Sequence, residues 1–283
     1  MEFVLEVRPP EGEMFYVPLP QSGILTVGRE APADVVIRDR FLSRSHFQLQ
    51  CADMLHVLID PGSSNGTYVN GMRLRGSVLK PRDAIYAGRT AFRFAPVLDG
   101  KVVLDYLPES PGELLPWQQK LIHSLEASCN FVVLDGAISP AVRDLLNQAG
   151  VFYQSLYEGE QASDLASFGP YLAEIQKGGK LVPFLIKVGW GKSWGIFLNT
   201  QTGFVETRKH LRHFLMVDIE GGERVIFRFY DPRVMRVFIP SCNPEQRREF
   251  FGQIQHILVE SDPETIVHRY SVGTDEHYQL VPT

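Results

Sequence analysis

Two polar stretches in the first hundred residues hold side chains suited to gripping an anion. Ser43-Arg44-Ser45-His46 and Gly62-Ser63-Ser64-Asn65-Gly66-Thr67-Tyr68-Val69-Asn70-Gly71 put hydroxyls, amides and glycine-freed N–H groups where the pattern reads as loops. Arg29 ends a strand-like run, Ile24-Leu25-Thr26-Val27-Gly28. Guanidinium forks from Arg29 and Arg44, with the hydroxyls of Ser43 and Ser64, form a donor set for a tetrahedral dianion. A phosphorylated threonine is such a dianion, with three acceptor oxygens. Asn65 carries both a donor and an acceptor and suits the main chain of an extended peptide.

These groups must be brought together by the elements that carry them. Short apolar runs such as Phe3–Pro9, Ile24–Glu30, His46–Cys51, Leu55–Asp60 and Ala91–Pro96 alternate with Gly, Pro, Asp, Asn and Ser. That pattern predicts an all-β sandwich over 1–100, and a sandwich gathers its loops at two ends. Gly28, Gly66 and Gly71 fit the turns it needs.

The texture changes at 101–116, where the acidic, proline-rich stretch Asp105–Trp117 predicts a linker. Residues 117–260 then predict an α/β domain. Phe131–Leu134 reads as a strand, and Ser139-Pro140 opens a helix closed by Gly150. Val205–Phe214 reads as an amphipathic helix. Phe214–Tyr230 reads as two strands about a Glu-Gly-Gly turn, and Asn243-Pro244 starts a helix running to about 258. The tail 261–283 predicts one more strand.

Composition narrows the function classes. The chain has 283 residues, 44% hydrophobic and 22% charged, with net charge −5. This argues against broad nucleic-acid or anionic-membrane binding. Residues 1–100 hold 11 basic and 11 acidic side chains, so the remainder carries the deficit. No apolar run reaches a membrane span, and the beginning lacks the basic flank of a signal peptide, so a cytoplasmic location is expected. Cys51, Cys129 and Cys242 lie too far apart for a zinc motif or a disulfide framework.

Chemistry-like motifs in the second half fail on spacing. Lys187–Gly195 contains Gly-Lys-Ser, but a phosphate loop needs glycine where Ile186 stands, and a dinucleotide fingerprint needs glycine at Trp194. His210 and His213 lack further ligands, and Ser139, Ser193 and Ser241 lack a nucleophile elbow. No enzyme activity, cofactor or metal is expected. Aromatics interleaved with arginines do stand out, the types enriched at protein interfaces. Trp190, Trp194, Arg208, Arg212, Arg228, Tyr230 and Arg233 are the candidate partner-binding set.

Gly28-Arg29, Ser43–His46 and Asn65–Gly71, in this order and spacing, resemble the forkhead-associated (FHA) domain, a phosphothreonine-binding β-sandwich, over about 1–97. The resemblance implies that Arg29, Ser43 and Ser64 contact phosphate, that Arg44 assists, and that Asn65 holds the peptide main chain. It implies that Gly28, His46, Gly66 and Asn70 brace the loops. Phe131–Ala137, Ser193–Thr200, Lys209–Val217, Phe227–Val234 and Pro244–Gly252 resemble the DUF4123 family. That likeness implies an adaptor-chaperone of bacterial type VI secretion, binding an effector's N-terminal region and loading it on the trimeric spike protein. The expectation is therefore a non-catalytic adaptor whose FHA domain meets a phosphothreonine-containing or other partner. The alternatives are an FHA-targeted α/β enzyme or a phospho-dependent signalling scaffold.

Overall fold

A computed structural model describes residues 2–52, 55–81, 83–98, 100–102, 110–158, 169–218 and 224–280. The chain divides into two units, Met1–Tyr106 and Leu107–Thr283. The first is built of strands β1 (Glu2–Arg8), β2 (Phe15–Pro18), β3 (Ser22–Gly28), β4 (Val35–Val36), β5 (Phe47–Ala52) and β6 (Leu55–Ile59). It continues with β7 (Thr67–Val69), β8 (Met72–Leu74), β9 (Gly76–Val78), β10 (Ala84–Ala87), β11 (Thr90–Leu98) and β12 (Lys101–Val102).

These strands form two sheets. One runs β2-β1-β11-β10-β7-β8 with β12 also on β11, and the other β4-β3-β5-β6-β9. Alternation decides which residues face inward: in β5, Phe47, Leu49 and Cys51 are buried while Gln50 and Ala52 are exposed. Val27, Phe47, Leu49 and Leu58 from one sheet join Leu5, Ile85, Phe92 and Phe94 from the other in a single core. Each buried side chain of that size contributes about 1.5–3 kcal/mol of transfer free energy, so the sandwich is a stiff base for its loops. The expected strands are found, and β2, β8 and β9 are additions too short to show a period.

The second unit holds the helices Pro116–Ser128, Pro140–Ala149, Leu181–Val188, Phe204–His213, Pro232–Ser241 and Pro244–Phe251 among its described residues. Its strands include β13 (Phe131–Leu134), β14 (Tyr153–Ser155), β15 (Tyr171–Glu174), β16 (Gly195–Thr200), β17 (Met216–Asp218) and β18 (Arg224–Ile226). The last are β19 (Ile254–Glu260), β20 (Ile266–Tyr270) and β21 (Asp275–Gln279). Seven form an antiparallel sheet, β14-β15-β13-β16-β19-β20-β21. Phe131, Val133, Ile196, Leu198 and Ile257 share a core with Leu211, Met235, Ile239, Phe250 and Phe251 of three helices. Alternate residues Val132, Leu134, Phe197 and Leu258 are equally buried, so the sheet is covered on both faces.

Local signals set several boundaries as expected. The Ser139 hydroxyl accepts from the Ala141 N–H at 3.2 Å, and Gly150 adopts φ 69° just past the helix end. Asn243 caps the next-to-last expected element through the N–H groups of Glu245 and Gln246.

Other boundaries require correction. The helix from Pro244 stops at Phe251 rather than near 258, because Gly252 turns the chain at φ 52° and Ile254 begins a central strand. Phe227–Tyr230 is not strand: β18 ends at Ile226, and Asp231 caps a helix that the sequence pattern did not reveal. Lys101 and Val102 of the expected linker pair with β11, and 103–109 lie outside the described residues. The region 261–283 supplies two strands, not one.

Candidate functional site

The polar loops of the sandwich meet around a cavity of about 570 Å³ lined by Arg29, Ser43, Arg44, Ser64 and Asn65, with Arg40 and Phe41 beside them. All five phosphate- and peptide-contact candidates are thus brought together. Their loops are stitched to one another. The Arg29 N–H donates to the Ser43 carbonyl at 3.0 Å. The Ser64 N–H donates to the Ser43 hydroxyl at 3.1 Å, and the Asn65 amide donates to the Phe41 carbonyl at 2.7 Å.

The bracing residues act one level below. His46 is fully buried; its Nδ1 accepts from the Ser43 N–H at 2.9 Å. Its Nε2 therefore carries the proton and donates to the Gly66 carbonyl at 3.1 Å, tying one loop to the other. Burial holds this imidazole below its ordinary pKa, as a ring that must accept on one nitrogen requires. A Cβ on Gly28 would lie 1.9 Å from the Arg44 carbonyl oxygen, so only glycine lets that loop approach. Gly66 has φ 79°, a conformation that side chains rarely adopt. Asn70, at φ 51°, donates to Asp83 at 2.8 Å and accepts from the Ala84 N–H at 3.0 Å.

Asp60 is a brace that the loop pattern did not disclose. Its carboxylate accepts from the Gly62 and Ser63 N–H groups, the Ser63 hydroxyl and the Thr67 hydroxyl at 2.6–2.9 Å. Burial alone would raise its pKa, but these donors hold it below the usual carboxylate range.

The cradle is cationic and open. The Arg29 side chain is 45% exposed and the Arg44 side chain 78%. Their carboxylate neighbour among the described residues is the exposed Glu30, at 3.7 and 3.9 Å. Such loose surface pairs contribute little and yield readily to a stronger anion.

In the second unit the partner-binding set needs correction. Trp190, Trp194 and Tyr230 are 4–8% exposed and belong to the interior. The Trp190 indole N–H donates to the Glu264 carbonyl at 2.7 Å, and Trp194 packs so closely on Gly189 that a Cβ there would clash. Arg208 and Arg212 are occupied within the fold, donating to the carbonyls of Ser155 and Leu156 at 2.8 and 2.9 Å and pairing with Glu158. Aromatic-arginine interleaving also marks a domain that latches its own loops, and alternation could not separate the two cases.

Arg228 and Arg233 keep exposed guanidiniums, 45% and 60%, anchored on buried acids. Arg228 pairs with Asp135 and, at 3.9 Å, Asp231. Arg233 forks onto Asp231 at 2.7 and 3.0 Å. Burial would raise Asp231, but Arg233 and Arg228 hold its pKa low. Burial pushes Tyr230 and Tyr157 up, and the two hydroxyls share this cluster.

The Gly-Lys-Ser turn proves to be an anion nest already filled. The N–H groups of Gly191 and Ser193 donate to the buried Glu260 carboxylate at 2.7 and 2.5 Å. Alternate N–H groups of this turn converge on the carboxylate, while the Lys192 N–H between them donates to the Gly189 carbonyl at 3.1 Å; phosphate loops use converging N–H groups in the same way. His210, rather than chelating, lies against the Phe250 carbonyl at 2.8 Å.

A two-sheet sandwich with an open, arginine-lined loop cluster at one end defines an anion-reading interaction module, set before a mixed helix-strand domain. Comparison with known proteins makes this specific. Residues 25–88 match the FHA domain, and residues 130–249 match the domain of unknown function DUF4123. The chain thus carries an FHA domain followed by a DUF4123 domain.

An oxoglutarate dehydrogenase inhibitor from Corynebacterium diphtheriae is 31% identical over 86 residues, 30% of this chain and 58% of that protein. Its counterpart from Corynebacterium efficiens matches to the same extent. The chain thus spans little more than half the length of these curated relatives. Among solved structures, the FHA domain of the CT664 protein from Chlamydia trachomatis is 27% identical, covering 35% of this chain and all of that one, with TM-score 0.32. Mycobacterium tuberculosis EmbR in complex with a phosphopeptide is 28% identical, covering 32% of this chain and 24% of that one, with TM-score 0.28. Among the described residues no helix is long and apolar enough to cross a membrane.

Proposed function

We propose that this chain is an adaptor: its FHA domain docks on a phosphothreonine-containing partner and its DUF4123 domain carries a secreted effector toward a type VI secretion spike. The observation that carries the phosphothreonine half is the meeting of Arg29, Ser43, Arg44, Ser64 and Asn65 around one open cavity. A threonine phosphate brings about −1.5 to −2 charges, which two guanidiniums and the loop hydroxyls complement. Support for the carrier half is the DUF4123 match together with two exposed, carboxylate-anchored guanidiniums, Arg228 and Arg233. Guanidiniums fixed in place lose little side-chain entropy on meeting a partner's carboxylates or carbonyls.

The test uses the full chain co-expressed with the product of the neighbouring gene. Capture of that product, weakened by Arg228→Ala with Arg233→Ala in protein that thermal unfolding shows to be folded at the assay temperature, and unaffected by Arg29→Ala, supports the carrier reading. No capture, or capture indifferent to both arginines, counts against it. For the FHA half, binding of a fluorescent phosphothreonine peptide is compared with its unphosphorylated form. Equal affinity for the two removes the phosphate from the function.

A further inference from the structure

The phosphate cradle shares its cavity with a second cationic wall. Arg40 and Phe41 line the cavity together with Arg29 and Arg44, and among the described residues no acidic side chain does. The Arg40 guanidinium lies 4.8 Å from the centre of the Phe41 ring, and that of Arg89 lies 4.3 Å from it. Two cations therefore share one ring.

Asp39 imposes this arrangement. Its carboxylate is 4% exposed and accepts from the Phe41 N–H at 2.9 Å, the Arg89 N–H at 2.6 Å and the Thr90 hydroxyl at 3.0 Å. These bonds lock the loop 39–41 to the β10–β11 turn. The acid's oxygens meet backbone N–H and hydroxyl donors, so among the described residues the guanidiniums of Arg40 and Arg89 are not ion-paired to it.

A guanidinium stacked on a ring turns its flat face to the π cloud and keeps its N–H edge for an in-plane acceptor. Both guanidinium carbons lie against the same ring, 4.8 and 4.3 Å from its centre, so the two like charges repel, and an anion beside Arg40 in the cavity relieves that repulsion. A single phosphate is matched by Arg29 and Arg44, which leaves Arg40 and Arg89 without a counterpart.

We infer that Arg40, held with Arg89 on Phe41, is a second anion subsite, so that the favoured ligand bears another negative group close to its phosphothreonine. This rests on the phosphothreonine reading and sharpens it. The group is an acidic side chain or a second phosphate, which present the same chemistry to a guanidinium.

The experiment measures full-length protein by fluorescence anisotropy against four peptides of equal length. One has phosphothreonine among neutral residues, one phosphothreonine among aspartates, one two phosphothreonines, and one aspartates with unmodified threonine. The aspartate and doubly phosphorylated peptides are expected to bind about tenfold tighter than the neutral one. That gain is expected to vanish in Arg40→Gln with Arg89→Gln, while affinity for the neutral phosphopeptide falls less than threefold. The larger gain of the two assigns the source. Phosphate-dependent binding with no gain from neighbouring charge, or a gain that survives the double substitution, overturns the second subsite alone. Equal binding of the phosphorylated and unmodified aspartate peptides overturns the phosphothreonine reading itself. Arg40→Lys with Arg89→Lys, which keeps the charge but not the planar guanidinium, is expected to retain part of the gain.

Discussion

The two domains use arginine in opposite ways. In the FHA domain, Arg29, Arg40 and Arg44 line a cavity that no acid among the described residues lines, and the guanidiniums of Arg29 and Arg44 pair there only loosely, with Glu30. In the DUF4123 domain, Arg228 and Arg233 sit on Asp135 and Asp231, and Arg208 and Arg212 hold a loop's carbonyls. The contrast recurs in the anion nests. Ser43, Ser64 and their loops leave an open cradle, whereas Gly191 and Ser193 enclose the domain's own Glu260. Donor type alone does not set the role: an internal acceptor that leaves the donor largely covered, as for Arg208, makes a strut, and one that leaves it exposed, as for Arg228 and Arg233, anchors it at the surface.

Substitutions can break this comparison. The largest effect is expected at Trp194, whose ring is 8% exposed and packed on Gly189. Trp194→Ala should cost about 3–5 kcal/mol in denaturant unfolding, as for other buried large-to-small changes. A change under about 1 kcal/mol would restore this residue to the surface set. Next, Arg29→Ala should weaken phosphothreonine-peptide binding about a hundredfold, through loss of charge-assisted bonds of about 1.5–3 kcal/mol each. Unfolding stability should move by less than about 0.5 kcal/mol, since the residue serves a ligand rather than the fold.

Arg228→Ala should show the reverse profile. It would leave Asp135, 1% exposed, without its cation. Because the guanidinium is itself 45% exposed and partly screened, about 1–3 kcal/mol of stability is expected to go, with phosphopeptide affinity intact.

The smallest effect is one of pH. Burial holds His46 below the ordinary histidine value, so the folded state keeps the neutral ring. Its contribution to stability is present above the unfolded value near 6.5 and is lost as pH falls from there through the folded value. A protonated ring cannot accept from the Ser43 N–H, so the cradle should loosen over the same range. Because the phosphate itself titrates at about 6, the readout is the ratio of phosphopeptide affinities of the wild type and His46→Gln, which is expected to fall below about pH 6.5. A flat profile would reduce His46 to a packing residue.

The FHA site was legible because its chemistry is local. Gly28-Arg29, Ser43–His46 and Asn65–Gly71 each need a particular residue at a particular turn, and a short stretch shows that. Asp60 and Asp39 escaped notice because an acid in a loop looks the same whether it is solvated or organises several donors, four for Asp60 and three for Asp39. Arg40, Phe41 and Arg89 escaped because their nearness is set by a contact between Asp39 and a turn fifty residues away. In the second domain, the Ser139 and Asn243 caps marked their helices. The helix Pro232–Ser241 was hidden behind an aromatic run that reads as a strand, Val225–Tyr230, of which only part is one.

What the sequence determined by itself was the alternation that builds the sandwich, the turns that only glycine permits, and the hydroxyls and guanidiniums its loops would hold. These follow from backbone sterics and side-chain type, which act over a few residues. Tertiary structure decided which arginines lie open to a ligand and which already have an internal partner, and which tryptophans are core. The same side chain is a site or a strut according to whether a distant segment brings it an acceptor, and only the folded chain fixes that distance.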